Sequence, residues 1–129
     1  MQRIILASFA MMLLISPLAF AQKNPIAAPA PRVTFVELGS VNCIPCKKMQ
    51  PVMKAIEEKY SPHVKVVFYD VWTKEQKPFA QKYGIRLIPT QVFLDENGKE
   101  FFRHEGFFPE EEIQKVLKGR GVAPIAKEG

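Results

Sequence analysis

An apolar run leads directly into a pair of cysteines in the stretch Val33-Thr34-Phe35-Val36-Glu37-Leu38-Gly39-Ser40-Val41-Asn42-Cys43-Ile44-Pro45-Cys46. Residues 33–38 are apolar at most positions and rich in β-branched and aromatic side chains, which predicts a buried strand that ends at Gly39. Over residues 43–60, apolar side chains recur every three or four positions, which predicts an amphipathic helix. The two cysteines therefore stand at the start of a helix that follows a buried strand.

Five further elements follow along the chain. They are a strand over 64–71, a helix over 73–83 with Thr73 and Gln76 as a capping box, strands over 90–95 and 100–104 joined by the Asn97-Gly98 turn, and a helix from Pro109 to Gly119. The resulting order is β-α-β-α-β-β-α. The strand–helix–strand unit implies a parallel pair with a right-handed crossover, whereas the closing hairpin is antiparallel. The sequence therefore predicts an α/β fold with a mixed four-stranded sheet flanked by helices.

The N-terminal residues have the pattern of a targeting segment. Met1-Gln2-Arg3 gives a basic start, residues 4–15 form an apolar run, and Ala19-Phe20-Ala21 is a small-x-small cleavage site. We therefore expect residues 1–21 to be a signal peptide cleaved after Ala21, and the protein to be periplasmic or secreted. An uncleaved N-terminal anchor is the alternative.

The rest of the chain divides into three parts. Residues 22–32 are rich in proline and alanine, which predicts an extended spacer. Residues 33–118 hold all the predicted elements and form one domain, because 129 residues leave no room for a second core of similar size. Residues 119–129 are expected to be a polar tail.

Charge and cysteine content exclude several classes of protein. The chain has 18 Lys plus Arg against 13 Asp plus Glu, a formal net charge of +5 that is spread along the sequence. A nucleic-acid binder would more often gather this charge into a patch, so we expect no nucleic-acid partner. Two cysteines exclude a disulfide-dense miniprotein and a four-cysteine zinc ribbon, and His63 and His104 are not paired at ligand spacing. We expect no metal and no other cofactor.

The chemistry of the chain centres on Cys43-Ile44-Pro45-Cys46. The start of a helix carries unpaired N–H groups and a partial positive charge, which stabilise a thiolate. We therefore expect Cys43, at the tip, to be the exposed attacking thiol and Cys46, one turn into the helix, to be the buried resolving thiol. Two alternatives remain open: a purely structural disulfide, and a thiol-based Cu(I) site aided by Met49 and Met53, which also fit the apolar stripe of the helix.

Several motifs accompany the cysteine pair. They are Lys47 directly after it, Pro51 five residues beyond Cys46, the stretch Lys82-Tyr83-Gly84-Ile85-Arg86-Leu87-Ile88-Pro89-Thr90, the Asn97-Gly98 turn and Gly106. Together with C-I-P-C they resemble the thioredoxin family over about residues 33–117. The resemblance implies a minimal thioredoxin fold and an enzyme that exchanges thiols and disulfides.

The resemblance also implies a groove that binds protein substrates. Pro89 corresponds to a cis-proline that packs beside the cysteine pair. This proline leaves the backbone of Ile88 free to pair with an extended segment of the substrate. Ile44, Pro45 and Gly106 are expected to contact the same segment.

Glu37 occupies the position of the family's buried acid, below the active site. A carboxyl buried in an apolar strand should have a raised pKa, so it could accept the proton of Cys46 through a water. A carboxylate at the solvent-facing edge of the strand is the alternative.

The sequence departs from thioredoxins at Asn42, where they usually have tryptophan, and we expect Asn42 to cap the helix instead. The one tryptophan, Trp72, is expected to be partly buried by packing, and a place on the recognition face is the alternative.

The dipeptide Ile44-Pro45 favours a reductant. It lacks the histidine that, in exported oxidases of this superfamily, stabilises the attacking thiolate and makes the disulfide strongly oxidising. By resemblance to exported thioredoxin-like proteins, we expect a monomeric protein-disulfide reductase whose substrates are exported proteins or apocytochrome cysteines. Its electron donor would be a membrane thiol transporter. A disulfide oxidase or isomerase is the alternative.

Overall fold

One mixed sheet and three helices make up residues 29–126, the part of the chain that the computed structural model describes. The strands are β1 (Val33–Gly39), β2 (Val64–Asp70), β3 (Thr90–Asp95) and β4 (Glu100–Glu105), and the helices are α1 (Ile44–Tyr60), α2 (Pro78–Lys82) and α3 (Glu110–Gly119). The strands lie in the order β2-β1-β3-β4. Strand β1 is parallel to β2 and antiparallel to β3, which is antiparallel to β4. The predicted element order and the mixed four-stranded sheet are confirmed.

The central strand β1 is covered on both faces, which explains its almost continuous apolar sequence. Val33 and Phe35 belong to a core layer formed with α1 and α3, whereas Val36 and Leu38 belong to the opposite layer, beside α2. Successive side chains of a strand point to opposite faces of the sheet. Glu37 therefore lies on the α1 face, inside the larger core layer.

Helix α1 connects the active-site end of β1 to the far end of the sheet. It begins directly after Cys43 and continues through Pro51 to Tyr60. Its buried residues form the stripe that the sequence predicts, and they include Met49 and Met53. Both methionines lie in the core cluster, as the apolar stripe requires.

Helix α2 is shorter than predicted, because residues 73–77 form a separate turn. The Thr73 hydroxyl donates to the carbonyl oxygen of Asp70 at 2.8 Å, and the Gln76 side-chain oxygen accepts from the N–H of Asp70 at 2.6 Å. The N–H of Gln76 donates to Thr73 Oγ1 at 3.3 Å, which is the Thr73 half of the predicted capping box. The return bond is not made, because the Gln76 side chain ties the turn to β2 instead. Pro78 has no N–H to continue this turn, and its fixed φ starts a new helix instead.

The expected polar tail after Gly119 is wrong, because this segment packs on the domain. Val122 is buried in the core layer beside α1 and α3. The N–H of Ile125 donates to the carbonyl oxygen of Lys59 at 2.8 Å. At the N-terminal end of the domain, just before β1, the Arg32 guanidinium donates to the carbonyl oxygen of Gly121 at 3.0 Å. The folded unit therefore extends beyond residues 33–118 at both ends.

The predicted signal peptide over residues 1–21 lies outside the described residues, and so does most of the spacer. Across residues 29–126, no helix combines the length and the hydropathy that a membrane crossing requires.

The docked C-terminal segment leads to a prediction about stability. Val122→Ala removes two buried methyl groups, so we expect the free energy of unfolding to fall by about 2 kcal/mol. Ile125→Ala, three residues further on, shortens a side chain that is 38% exposed and should cost about 1 kcal/mol or less, clearly below the cost of Val122→Ala. Urea unfolding of both variants measures the difference. Equal and small effects would mean that the segment does not belong to the folded domain.

Candidate active site

A disulfide between Cys43 and Cys46 lies at the N-terminus of α1. Cys43 is the N-cap residue, and its sulfur accepts the N–H of Cys46 at 3.4 Å. This N–H is one of the donors that a helix start leaves without a partner. A helix start with a donor aimed at Cys43 Sγ favours the thiolate form of this sulfur once the disulfide is reduced.

The two sulfurs differ less in exposure than expected. Cys46 is 1% exposed, as predicted, but Cys43 is only 7% exposed, so the prediction of an exposed Cys43 is wrong for this oxidised state. The reason is that the sulfur of Cys43 turns inward to bond with that of Cys46. Ile44 and Pro45, the residues between them, are exposed and face solvent.

The loop before Cys43 is held by the carboxylate of Asp70, at the end of β2. Its Oδ2 accepts the N–H of Val41 and its Oδ1 accepts the N–H of Trp72, each at 3.1 Å. Burial alone would raise the pKa of Asp70, but these two backbone donors and the Ser40 hydroxyl hold it below its usual value. The Asn42 side chain does not cap α1 as predicted, since Cys43 takes that position. A single charged group thus fixes both the loop that carries Cys43 and the loop that carries Trp72.

Cys46 packs against the end of the central strand at Gly39. A Cβ at Gly39 would lie 3.2 Å from Cys46 Sγ and 3.3 Å from its Cβ, so any larger residue there would force Cys46 to shift by a few tenths of an ångström. Glu37 lies two residues earlier on the same face of β1, one strand repeat or roughly 7 Å below Gly39. This geometry is consistent with the predicted position of Glu37 beneath the resolving cysteine, and the alternative of a solvent-facing edge is excluded because Glu37 is fully buried.

The Glu37 carboxyl has one hydrogen-bond partner among the described residues. Gln91, its cross-strand neighbour on β3, donates from Nε2 to Glu37 Oε1 at 3.3 Å. Burial raises the pKa of Glu37 to about 8, and the hydrogen bond from Gln91 opposes that rise. A carboxyl with this pKa is mostly protonated at neutral pH and can exchange a proton with a thiol.

The predicted cis-proline and glycine lie side by side at the same end of the sheet. The Ile88–Pro89 peptide is cis, and Pro89 O accepts the N–H of Gly106 at 2.8 Å. The following residue, Thr90, pairs with Leu38 near the end of β1, so Pro89 stands at the level of the cysteine loop. Within residues 29–126, the backbone of Ile88 makes no hydrogen bond, which leaves its N–H and C=O free for an extended partner.

Exposed apolar side chains gather around these loops. Five of the six large hydrophobic residues that are exposed in the described part of the chain come from the loops and the start of α1 at this end of the sheet. They are Val41, Ile44, Trp72, Leu87 and Phe107. Trp72 is 61% exposed, so the expectation that packing buries it is wrong.

Sequence reasoning missed four residues that shape the site: Gly39, Ser40, Asp70 and Gln91. Three of them are polar residues inside or directly after strands that are otherwise apolar, and that break in the pattern was the available signal. For Gln91, the decisive fact is its register opposite Glu37, which only the strand pairing supplies.

A redox-active disulfide at a helix start, with a buried acid below it and a cis-proline beside it, defines a protein of the thiol–disulfide exchange class. Residues 22–120 match the family described as Thioredoxin-like domain. The chain belongs to this family, as a thioredoxin-like thiol-disulfide oxidoreductase with the C-x-x-C pair Cys43–Cys46.

Known thioredoxins are similar to the chain in sequence and in structure. A thioredoxin of Bacillus subtilis is 33% identical over 75 residues, which are 58% of this chain and 69% of that protein. The crystal structure of the thioredoxin NaTrxh from Nicotiana alata gives a TM-score of 0.60 at 33% identity, covering 68% of this chain and 72% of that one. A Malassezia sympodialis thioredoxin gives a TM-score of 0.61 at 27% identity, covering 74% and 80%.

The buried acid leads to a prediction about pH and stability. Glu37 ionises near its ordinary pKa of 4.5 in the unfolded chain but near 8 in the folded one. Between these values the unfolded chain loses a proton that the folded chain keeps, so the free energy of unfolding falls as pH rises and levels off above about pH 8. The loss is on the order of 5 kcal/mol, at 1.36 kcal/mol for each pKa unit.

Urea unfolding of the oxidised protein at pH 5 and pH 9 measures this loss. Glu37→Gln cannot ionise, so we expect most of the difference between the two pH values to disappear in that variant. The same pH dependence in both proteins would show that Glu37 does not titrate with a raised pKa.

Proposed function

We propose that the protein is an exported reductase that transfers two electrons from the reduced Cys43–Cys46 pair to disulfides of other proteins. The thiolate of Cys43 attacks one sulfur of the target, forming a mixed disulfide and releasing the other target sulfur as a thiolate. Cys46 then loses its proton and attacks Cys43 Sγ. The target leaves with both cysteines reduced, and the Cys43–Cys46 disulfide forms. The observation that carries the proposal is the N–H of Cys46 donating to Cys43 Sγ at the helix start.

The ionised form of Glu37, a minority at neutral pH that grows as the pH approaches 8, serves in this mechanism as the acceptor of the Cys46 proton. Its carboxyl lies in the same core layer as Cys46, one strand repeat below the glycine that the sulfur contacts. The pKa of Glu37 is raised to about 8, close to the value of an ordinary thiol, so proton transfer between the two groups is nearly balanced. A water between them would carry the proton.

The exposed apolar residues around the disulfide support proteins as substrates. Large apolar side chains are rarely gathered on the surface of a monomer unless they bind something. Here they surround the free backbone of Ile88, which can pair with an extended strand of the target. A small disulfide such as oxidised glutathione would use little of this surface.

The direction of electron flow and the compartment rest on the sequence. Ile44-Pro45 holds no histidine to stabilise the Cys43 thiolate further, which favours a reductant. The pattern of residues 1–21 supports export. An exported reductant must be recharged, so we propose a membrane thiol transporter as the electron donor, with oxidised secreted proteins or apocytochrome cysteines as targets.

Trapping of the mixed disulfide tests the proposed exchange. Cys46→Ser removes the resolving thiol, so reaction with a disulfide-bonded model protein such as insulin should stop at a covalent adduct with Cys43. We expect this adduct on a non-reducing gel and expect dithiothreitol to release it. Cys43→Ser keeps Cys46 and is the matched control. Equal adduct formation by both variants, or none by either, would contradict the assigned roles.

Trp72 leads to a separate prediction about substrate choice. Trp72→Ala should lower kcat/KM for insulin by about 5- to 20-fold, because a large exposed aromatic side chain beside the site is a typical anchor for a protein partner. Reaction with oxidised glutathione should stay unchanged. Ile125→Ala, which alters an exposed apolar residue away from the site, should change neither rate. Equal losses with both substrates would show that Trp72 supports the disulfide itself rather than protein docking.

A further inference from the structure

Gln91 is a fully buried polar side chain that the mechanism above does not use. Its Nε2 donates to Glu37 Oε1 at 3.3 Å and to the carbonyl oxygen of Gly106 at 3.1 Å. An amide nitrogen has two hydrogens, so both are engaged. The carbonyl of Gly106 can only accept, which fixes the orientation of the amide: its nitrogen faces Gly106 and Glu37.

Two buried oxygens at this pair have no hydrogen-bond partner among the described residues, Glu37 Oε2 and Gln91 Oε1. Both are acceptors while Glu37 is ionised. Protonation of Glu37 supplies a hydrogen that can satisfy both of them, because the acid O–H can donate to the amide oxygen while the amide N–H donates back. A carboxylic acid and an amide then form a closed pair. Gln91 can therefore serve Glu37 in both protonation states.

The same amide connects Glu37 to the groove beside the disulfide. Gly106 accepts from Gln91 through its carbonyl oxygen and donates its N–H to Pro89 O at 2.8 Å. Hydrogen bonds thus run without a break from the Glu37 carboxyl through Gln91 and Gly106 to Pro89. This route joins the buried acid to the two groove residues that flank a bound segment.

No other polar side chain competes for the carboxyl in the part of the chain that the structure describes. On α1, Cys46 packs against Gly39, two residues further along the same face of β1, and Phe68 is the neighbour of Glu37 on β2, while α3 contributes apolar residues to this layer. On β4, His104 lies beyond Gln91 in the strand register, where its ring stacks on Phe108 at 4.1 Å. Cys46 and His104 are therefore the titratable neighbours to consider.

We propose that Gln91 is a positioning residue that holds the Glu37 carboxyl beneath Cys46 in both protonation states and ties it to the groove at Pro89 and Gly106. Its part in catalysis rests on the proposed function, since it acts through Glu37 and does not touch the reacting sulfurs. Its effect on the proton affinity of Glu37 does not depend on any substrate.

Direct titration of Glu37 in the oxidised protein tests the positioning role. Gln91→Met keeps the length of the side chain but removes the donor and the acceptor. The N–H bond to the carboxylate is charge-assisted and stronger than the neutral bonds that Gln91 can make with the protonated acid, so we expect the pKa of Glu37, followed by the ¹³C shift of its carboxyl, to rise by about one unit. Gln114→Met alters a surface glutamine that donates to the Glu110 carboxylate and is the matched control; it should leave Glu37 unchanged.

A second variant protects the test against a failure of folding. Gln91→Asn keeps the amide but withdraws it by one methylene group, so it should raise the pKa of Glu37 in the same direction. An unchanged titration in whichever of the two variants folds would overturn the proposal. Because the oxidised protein is titrated without substrate, this result stands even if the reductase activity fails its own test.

The catalytic part of the proposal is tested by making Gln91→Met in two proteins, the wild type and the Glu37→Gln variant. In single turnover with insulin, Gln91→Met should move the pH profile of the resolving step upward by the shift measured for Glu37. In a Glu37→Gln background, the same substitution should move the profile no further. A shift that persists without the Glu37 carboxyl would assign Gln91 a role independent of Glu37 and contradict the proposal, whereas a wild-type protein that reduces no insulin would contradict the proposed function alone.

Discussion

The contact between the sulfur of Cys46 and Gly39 is the constraint on which the site depends. A Cβ at this position would lie 3.2 Å from that sulfur, so a larger residue at the end of β1 would force Cys46 and the start of α1 to shift by a few tenths of an ångström. This contact puts the disulfide above Glu37 and at the level where β3 begins with Thr90 after the cis-proline. The helix start that stabilises the thiolate, the buried acid and the groove are therefore consequences of one close approach between a helix and a strand.

Burial of the Glu37 carboxyl reduces the stability of the folded protein. A carboxyl without water and with one hydrogen bond is destabilising in its charged form, and it sits among apolar residues of the larger core layer. Local rules of folding are most often broken at functional sites. In the proposed mechanism this buried carboxyl is the proton acceptor, with a pKa close to that of a thiol, and Gln91 is proposed to limit the cost because its amide can pair with either form of the acid.

Much of the fold was predictable because the signals were local. The apolar run of β1, the stripe of α1 and the Asn97-Gly98 turn are short-range patterns, and they give the element order that is observed. The wrong predictions came from contacts between segments that are distant in sequence. Pro78 and the bond from Gln76 to β2 shorten α2, and the docking of Val122 on α1 and α3 turns a predicted tail into part of the core.

The same division holds for the site. Cys43 and Cys46 could be assigned from their spacing, and Glu37 and Pro89 from their resemblance to a known family. Gln91 could not, since its role depends on the register between β1 and β3, and the exposure of Trp72 could not, since it depends on how the loop after β2 packs. Pattern alone locates the reacting sulfurs, whereas the residues that tune them emerge from the strand pairing.

The reduction potential of the Cys43–Cys46 pair, measured by equilibration with glutathione, tests the central claim that the protein is a reductant. The absence of histidine between the cysteines predicts a value near that of thioredoxin, roughly −270 mV. A value near roughly −120 mV, that of a strong disulfide donor, would contradict the account and make the protein an oxidase.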